Sequence, residues 1–414
     1  MQQETTYLKL FGKNLISFQK RDTGEIIGTG LLNPLIERLN IVTMFVIQAK
    51  FYRAYKELGK WNGKRVANTF APPVRSGAMW RALLASLKSR IFHSHYPVAM
   101  TFAVTYDCQC NCIHCSAGRH KHENKLQLNI AEAKKLIDDS LKLGISILAF
   151  TGGEPLLRKD IYELISYVDK KKAVPLLFTN GEFLTTENVK RLKNSGLYSL
   201  FVSLDSHTPE EHNRLRKRKD LFQNAIEGIK RAKQEGLFVG ISTYATRTGT
   251  KNNEFKKLYS LARELKLHNV MLFDGVATGK MLHDTSELLT VEQRQKIRDF
   301  SSYIFNHNVI PPLSSQSWQN SIEGYLGGIG CLAANIQYYV SAYGDVAPCD
   351  FTPLSFGNIR KEPLKKIWKK MITHPAYNYR STFCRMQHPT FRKLFIDPIP
   401  DDASLPYNIE NFSV

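Results

Sequence analysis

From about Val98 the chain alternates between short apolar runs and amphipathic stretches. "VAMTFAVTY", "ISILAFTGG", "AVPLLFTNG", "YSLFVSLDS", "LFVGISTYA" and "NVMLFDGVATG" have the length and composition of buried strands. Between them, "NIAEAKKLIDDSLKLG", "KDIYELISYVDKKK", "LFQNAIEGIKRAKQEG" and "EFKKLYSLARELK" place apolar residues at helical spacing. Gly144 stands where the first of these helices should stop. Six βα-type units in succession predict an α/β fold with a parallel sheet and helices outside. This is a partial (β/α)6 barrel of TIM type, two units short of closure.

Upstream, residues 5–30 predict short strands around the turn "RDTGE". Leu35, Leu39, Val42 and Val46 lie on one face of a helix predicted over 35–58. "FAPPVRSG" (70–77) has the composition of a linker. A second helix, about 78–92, has Trp80, Leu83, Leu84, Leu87 and Ile91 as its apolar face. Downstream come a helical segment over 289–305, a Pro/Ser loop, a strand pair in "IQYYVSAYGDVAPCDF" and the helix "KEPLKKIWKKM". Three regions result: an N-terminal hairpin with a basic amphipathic helical extension (1–97), a core barrel (98–285), and a helical linker with a small α+β domain (286–414).

The formal charge is +20, and between Lys50 and Arg90 ten basic residues face only Glu57. Such a balance suits an acidic partner: a nucleic acid, an anionic membrane surface or an anionic substrate, or else a solvated face. Nucleic acid is disfavoured, since no RNA-binding module or basic strand rich in aromatics is present. The longest apolar run near the start, Ile41 to Ile47, is shorter than the roughly 18 residues a span requires. The opening stretch lacks the apolar centre of a secretory signal. A cytoplasmic protein is expected, with peripheral attachment to a membrane as a second expectation.

Four of the seven cysteines fall within "CQCNCIHC" (108–115). An odd number of clustered cysteines without a secretory signal points to metal or catalysis rather than disulfides. Cys108, Cys112 and Cys115 give the spacing Cys-x3-Cys-x2-Cys. Three thiolates on one loop suit a cubane iron–sulfur cluster with one iron left open. A structural zinc remains an alternative, with Cys110, His114, His120 or His122 as the fourth ligand. The loop follows the first barrel strand. "TGGEP", "TNG", "SLDS", Thr243 with Thr246, and Gly275 with Gly279 follow the next five, at the strand ends where parallel sheets gather ligands.

Cys-x3-Cys-x2-Cys followed by Gly-Gly-Glu-Pro after the next strand resembles the radical S-adenosylmethionine (SAM) superfamily over about 98–280. The resemblance implies a [4Fe–4S] cluster on Cys108, Cys112 and Cys115, with SAM chelating the open iron. It places Gly152, Gly153 and Glu154 at the methionine ammonium, Ser203 and Asp205 at the ribose, and His114 beside the adenine. Cys110 falls outside the spacing, either as a backup ligand or as a small packed residue. Cys331, then Gly344 and Cys349 in "GDVAPC", resemble the start of the SPASM/twitch extension, as do "SFGNI" and the helix after it. That similarity implies an auxiliary iron–sulfur cluster on Cys331, Cys349 and Cys384. Gln387 occupies a position where a further cysteine belongs, and His388 is a candidate fourth ligand. Three separate buried thiols are the alternative.

The expected function is reductive cleavage of SAM to a 5′-deoxyadenosyl radical that abstracts hydrogen from a peptide or small metabolite. A one-electron reductant such as flavodoxin or ferredoxin is the implied partner. Two alternatives stand beside it: action on a lipid-linked substrate at a membrane, and a non-catalytic iron–sulfur electron carrier or SAM-binding partner subunit. Asp274 and Tyr244 are candidates to quench a substrate radical, and nothing in the sequence selects between them.

Overall fold

The computed structural model describes residues 5–10, 13–20, 26–29, 57–122, 124–319, 330–379, 381 and 384–412, with backbone alone for 5–29 and for Arg90. The helix predicted over 35–58 therefore lies almost wholly outside the described residues. Strands β1 (Thr5–Leu10), β2 (Lys13–Lys20) and β3 (Ile26–Thr29) form an antiparallel three-stranded sheet, one strand more than a hairpin. A hairpin absent from the sequence-based expectations follows, β4 (Gly59–Trp61) and β5 (Lys64–Val66). Its turn is Asn62-Gly63, both at positive φ (47° and 72°), the conformation a two-residue hairpin loop demands.

The six expected barrel strands are present: β6 (Ala99–Thr105), β7 (Ile147–Gly152), β8 (Val174–Thr179), β9 (Ser199–Ser203), β10 (Phe238–Ala245) and β11 (Asn269–Asp274). They are parallel and adjacent in chain order. The sheet extends further to nine strands. β12 (Leu313–Ser315), inside the segment expected to be a Pro/Ser loop, pairs with β11. β13 (Gln337–Val340) runs parallel to β6 and carries β14 (Val346–Ala347) antiparallel to it. The C-terminal strand pair thus grows out of the barrel sheet itself. A short parallel pair, β15 (Leu354–Ser355) and β16 (Tyr407–Asn408), ties the chain's end to this region.

Local chemistry explains these elements. Asn129 and Glu132 form a reciprocal capping box at the start of the helix Ile130–Leu143, and Gly144 stops it at φ 120°. That helix buries Ala133, Leu136, Ile137, Ser140 and Leu141, one face at helical spacing. The barrel strands are buried on both faces, so they read as continuous apolar runs rather than alternating ones.

The N-terminal end of the barrel is closed by the segment ahead of the expected linker. Val66 is fully buried among Tyr198, Phe201, Phe238 and Met271. The Tyr198 hydroxyl lies 3.1 Å from the Asn68 carbonyl and 2.8 Å from that of Ala71, and Ser199 Oγ donates to the Thr69 carbonyl at 2.7 Å. Beyond this plug lies the helix Gly77–Ile91. It buries Ala78, Met79, Ala85 and Ser89, and its bulky face points out, with Trp80 59%, Leu84 50% and Ile91 43% exposed. Amphipathic spacing identifies a face. Here the burial of Ala78, Ala85 and Ser89 shows that the small-residue face is the one packed down.

Tyr198→Phe removes the hydroxyl that holds the plug and leaves buried carbonyls short of a donor. It should lower unfolding free energy by about 1 kcal/mol, read as a lower urea midpoint at constant m-value. An unchanged midpoint would show that the plug does not depend on this contact.

Candidate functional site

The polar strand ends converge on one cavity of about 680 Å³ at the C-terminal mouth of the barrel. Among its walls are Gly152 after β7, Ser203 and Asp205 after β9, Tyr244 and Thr246 at the end of β10, and Asp274 and Gly275 at the end of β11. The cysteine loop contributes Ile113, His114, Ser116 and Ala117.

The loop and the glycine segment are bonded to each other. The Gly153 N–H donates to the Thr105 carbonyl at 2.7 Å, and the Glu154 N–H to the Asp107 carbonyl at 2.8 Å. A Cβ on Gly152 would lie 2.1 Å from the Thr105 carbonyl oxygen, and one on Gly153 2.3 Å from that of Asp107. The two glycines therefore let the cysteine loop seat on the strand end. Glu154 is fully buried beside them. Its carboxylate accepts from Thr179 Oγ1 and the Asn180 N–H at 2.8 Å and from the Leu156 N–H at 3.1 Å. Burial outweighs these donors and pushes its pKa up to about 7.

Cys108 and Cys112 are both drawn towards the thiolate form, chiefly by the Cys110 thiol beside them. Cys112 is drawn down to about 6, with the nearby Arg216 guanidinium assisting. Burial pushes Cys115 up. Cys110 stays protonated between its two neighbours, 3.7 Å from the Asn180 amide. Its side chain therefore faces the other thiols.

Residues without any motif hold the loop down. Lys280 reaches from beyond β11 to Asn111 and to the Cys112 carbonyl (3.1 Å), and its N–H donates to the Cys115 carbonyl. On the other side, the Ile113 N–H donates to the Leu215 carbonyl at 2.9 Å. Arg216 grips Asp205 through two bonds of 2.6 and 3.0 Å, and His114 Nε2 lies 3.2 Å from the same carboxylate. Burial would raise the Asp205 pKa, but the Arg216 guanidinium and the His114 ring beside it outweigh burial and hold it well below the usual carboxylate range. The His114 ring lies 4.3 Å from that of Tyr244. His212 Nδ1 accepts the Asp205 N–H at 3.2 Å, and burial pushes this imidazole down to about 4.

The histidines weighed for a zinc site point elsewhere. His114 turns to Asp205, His122 Nε2 lies 3.0 Å from the Leu405 carbonyl, and His120 is buried against Tyr106. Among the described residues no three His, Cys, Asp or Glu side chains converge on a point that could hold a single ion.

Cys331, Cys349 and Cys384 are all buried. Burial raises Cys349 to about 12 and lifts Cys384 well above the usual thiol value, with Cys331 adding to both shifts and Cys349 to that of Cys384. These effects place the three thiols in one neighbourhood, the C-terminal pocket. The Gln387 side chain is engaged by Arg294 Nη1 (3.0 Å) and the Gly275 carbonyl (3.2 Å), and the His388 N–H by the Arg385 carbonyl. Two residues that the sequence did not single out join this pocket to the cavity. Asp350 lines the cavity next to Cys349, with one carboxylate oxygen lacking a partner among the described residues, and burial raises its pKa to about 6. Tyr339, also in the wall, shares a 2.7 Å hydroxyl–hydroxyl bond with Tyr106. Of the two quenching candidates, Asp274 is buried with both oxygens 2.7 Å from Ser317 Oγ.

The comparisons agree with this geometry. The family model of the Radical SAM superfamily matches residues 102–262, and that of the iron–sulfur cluster-binding SPASM domain matches 331–388. AdoMet-dependent heme synthases of Oleidesulfovibrio alaskensis and Methanosarcina barkeri are each 28% identical over 295 residues. Those alignments span 66% of this chain and 74% and 82% of the respective relatives. Streptococcus suis SuiB bound to S-adenosylmethionine matches at a TM-score of 0.54 with 15% identity over 70% of each chain. SuiB bound to its precursor peptide SuiA matches at 0.54 with 16% identity, over 85% of this chain and 84% of that one. The chain belongs to the radical SAM superfamily, as an enzyme with a C-terminal SPASM domain. Its cofactors are accordingly a [4Fe–4S] cluster, SAM and an auxiliary iron–sulfur cluster. No helix among the described residues is long and apolar enough to cross a membrane.

His212 gives the site a pH signature. An unfolded histidine titrates near 6.5, and this one near 4 in the fold. Between those values the unfolded chain binds more protons, so the stabilisation is complete above about 6.5 and is lost as pH falls towards 4. His212→Asn keeps an acceptor for the Asp205 N–H but cannot titrate. Its stability should fall less steeply than the parent's over this window, by on the order of 2–3 kcal/mol, measured by urea titration at stepped pH. Parallel curves would remove His212 from the account.

Proposed function

We propose that this enzyme cleaves SAM reductively and abstracts a hydrogen atom from a small metabolite bound in the barrel mouth. The observation that carries the proposal is the convergence of the cysteine loop, Gly152, Ser203, Asp205 and His114 on one cavity of about 680 Å³. In this reading Cys108, Cys112 and Cys115 hold the cluster. Gly152, Gly153 and Glu154 receive the methionine ammonium, Ser203 and Asp205 the ribose, and His114 the adenine. Cys331, Cys349 and Cys384 hold the auxiliary cluster. When bound, the cluster and SAM together supply a one-electron reduction that yields the 5′-deoxyadenosyl radical.

The chain's own residues set the conditions for that chemistry. Glu154 cannot swing, because Thr179, Asn180 and Leu156 fix both its oxygens. Arg216 fixes the Asp205 carboxylate in its charged state, as an acceptor for hydroxyl groups. The unpartnered Asp350 oxygen is placed to take or give a proton at the substrate, on the side nearest the auxiliary pocket. A small-metabolite substrate is favoured by the relatives named as heme synthases, which align over most of their length. The cavity's size also falls within the range of small-molecule sites. The net charge of +20 suits an acidic one-electron donor of the flavodoxin or ferredoxin type.

Anaerobically reconstituted protein treated with dithionite should release 5′-deoxyadenosine from SAM. Cys112→Ala should lower that release at least about a hundredfold, or roughly 3 kcal/mol in barrier terms. It should lose the iron and sulfide of one cluster and retain the other. Undiminished release from the variant would overturn the assignment.

A further inference from the structure

We infer that the helix Gly77–Ile91 docks this enzyme on an anionic phospholipid surface, with the barrel mouth facing away from the bilayer. The inference does not depend on the nature of the substrate. It begins with the reversed packing of the helix. Successive residues turn by 100°, so Trp80, Leu84, Leu87 and Ile91 fall within one narrow arc, and Ala78, Ala82, Ala85 and Ser89 fall opposite. The small arc is the one packed down, for Ala78, Ala85 and Ser89 are buried. The large arc is presented to the surroundings, and Phe92, just past the helix end, is 62% exposed. A row of Trp, Leu, Ile and Phe left outside while alanine is buried costs solvation free energy unless something apolar receives it.

Charge identifies the recipient. Lys60, Lys64, Arg75 and Lys88 are exposed on this end of the molecule, and Glu57 is the sole acid between residues 50 and 90. A protein partner matched to such a rim would need a strongly acidic border around an apolar centre. An anionic bilayer surface supplies both, with acyl chains under a negative headgroup layer. Trp and Phe at the edge of a basic amphipathic helix suit that boundary. Arg81 takes no part, since its guanidinium is bonded inward to the Leu141 and Ile145 carbonyls.

Those two carbonyls also fix the orientation. Leu141 and Ile145 precede β7, and Lys171, against which Gly77 is seated, precedes β8. The helix therefore lies at the N-terminal end of the barrel, while the cavity opens at the C-terminal end. A bilayer under the helix leaves the cavity facing the aqueous phase, which removes the case for a lipid-linked substrate drawn directly from that membrane.

The test is flotation of the reconstituted full chain with vesicles of phosphatidylcholine alone or mixed with phosphatidylglycerol. Association is expected with the anionic vesicles, weakened by salt. The double change Trp80→Ser, Leu84→Ser should weaken it about tenfold or more. Leu126→Ser, which alters a residue 82% exposed elsewhere, should not weaken it. Deoxyadenosine release should be the same for all three proteins and unaffected by vesicles, which also reports that the variants are folded. No association with anionic vesicles, or equal association of the double variant, would sink the inference. So would a dimer that the double change dissociates, since the stripe would then be a contact between copies. Loss of release on vesicle binding would overturn the orientation.

Discussion

Two backbone hydrogen bonds, from Gly153 to Thr105 and from Glu154 to Asp107, hold the chemistry of this protein in place. They fasten the end of β7 to the start of the cysteine loop. They can form because neither Gly152 nor Gly153 carries a Cβ to strike the carbonyls opposite. Everything at the barrel mouth is positioned from that seam. It sets where the thiols begin, and it turns Glu154 inward to Thr179 and Asn180 at the end of β8. Three consecutive strand ends are thereby locked to one another, and the loop inherits the rigidity of the sheet.

Electrostatics then decide protonation within that frame. Burial at the mouth works against every charge, and the outcome differs from group to group with the neighbours available. Asp205 stays ionised because Arg216 is bonded to both its oxygens and His114 lies within reach. Glu154 has only neutral donors and drifts up to about 7. Cys112 stands near Arg216 and beside the Cys110 thiol, so it reaches about 6, whereas Cys349, among other buried thiols, rises to about 12. Cys108 and Cys112 thus begin with weaker proton affinity than Cys349 and Cys384, so a metal group held by the latter would displace more tightly held protons.

The sequence made the barrel and the rim legible because both are local signals. Each strand, helix and turn carries its own spacing, and a parallel sheet puts all strand ends of one sense on the same side. What escaped were long-range partners. Arg216 and Lys280 belong to no motif, and nothing near them in the chain marks them as anchors of the cysteine loop. β12 was hidden in a loop by Pro311 and Pro312 and by its length of three residues. The Asn62-Gly63 hairpin carried a turn signal, but its strands are too short to show alternation. The helix Gly77–Ile91 revealed its two faces in the sequence, and only the burial of Ala78, Ala85 and Ser89 shows which one is packed down.

The C-terminal cysteines gain meaning from where their strands attach. β13 pairs with β6, the strand that launches the cysteine loop, in a register that sets Val340 beside Phe102. The C-terminal thiol pocket thus follows a strand of the same sheet that carries the first cysteine loop. Tyr106, just ahead of the cysteine loop, is bonded through its hydroxyl to Tyr339 of β13, and Asp350 follows Cys349 into the cavity wall. The cavity is walled on one side by the cysteine loop and on another by Tyr339 and Asp350. Walls of this kind suit a reaction in which a radical formed on one side must meet an acceptor on the other before water or a neighbouring side chain quenches it. The SPASM domain is in that sense the far wall of the active site, and its place in the β-sheet is the physical reason.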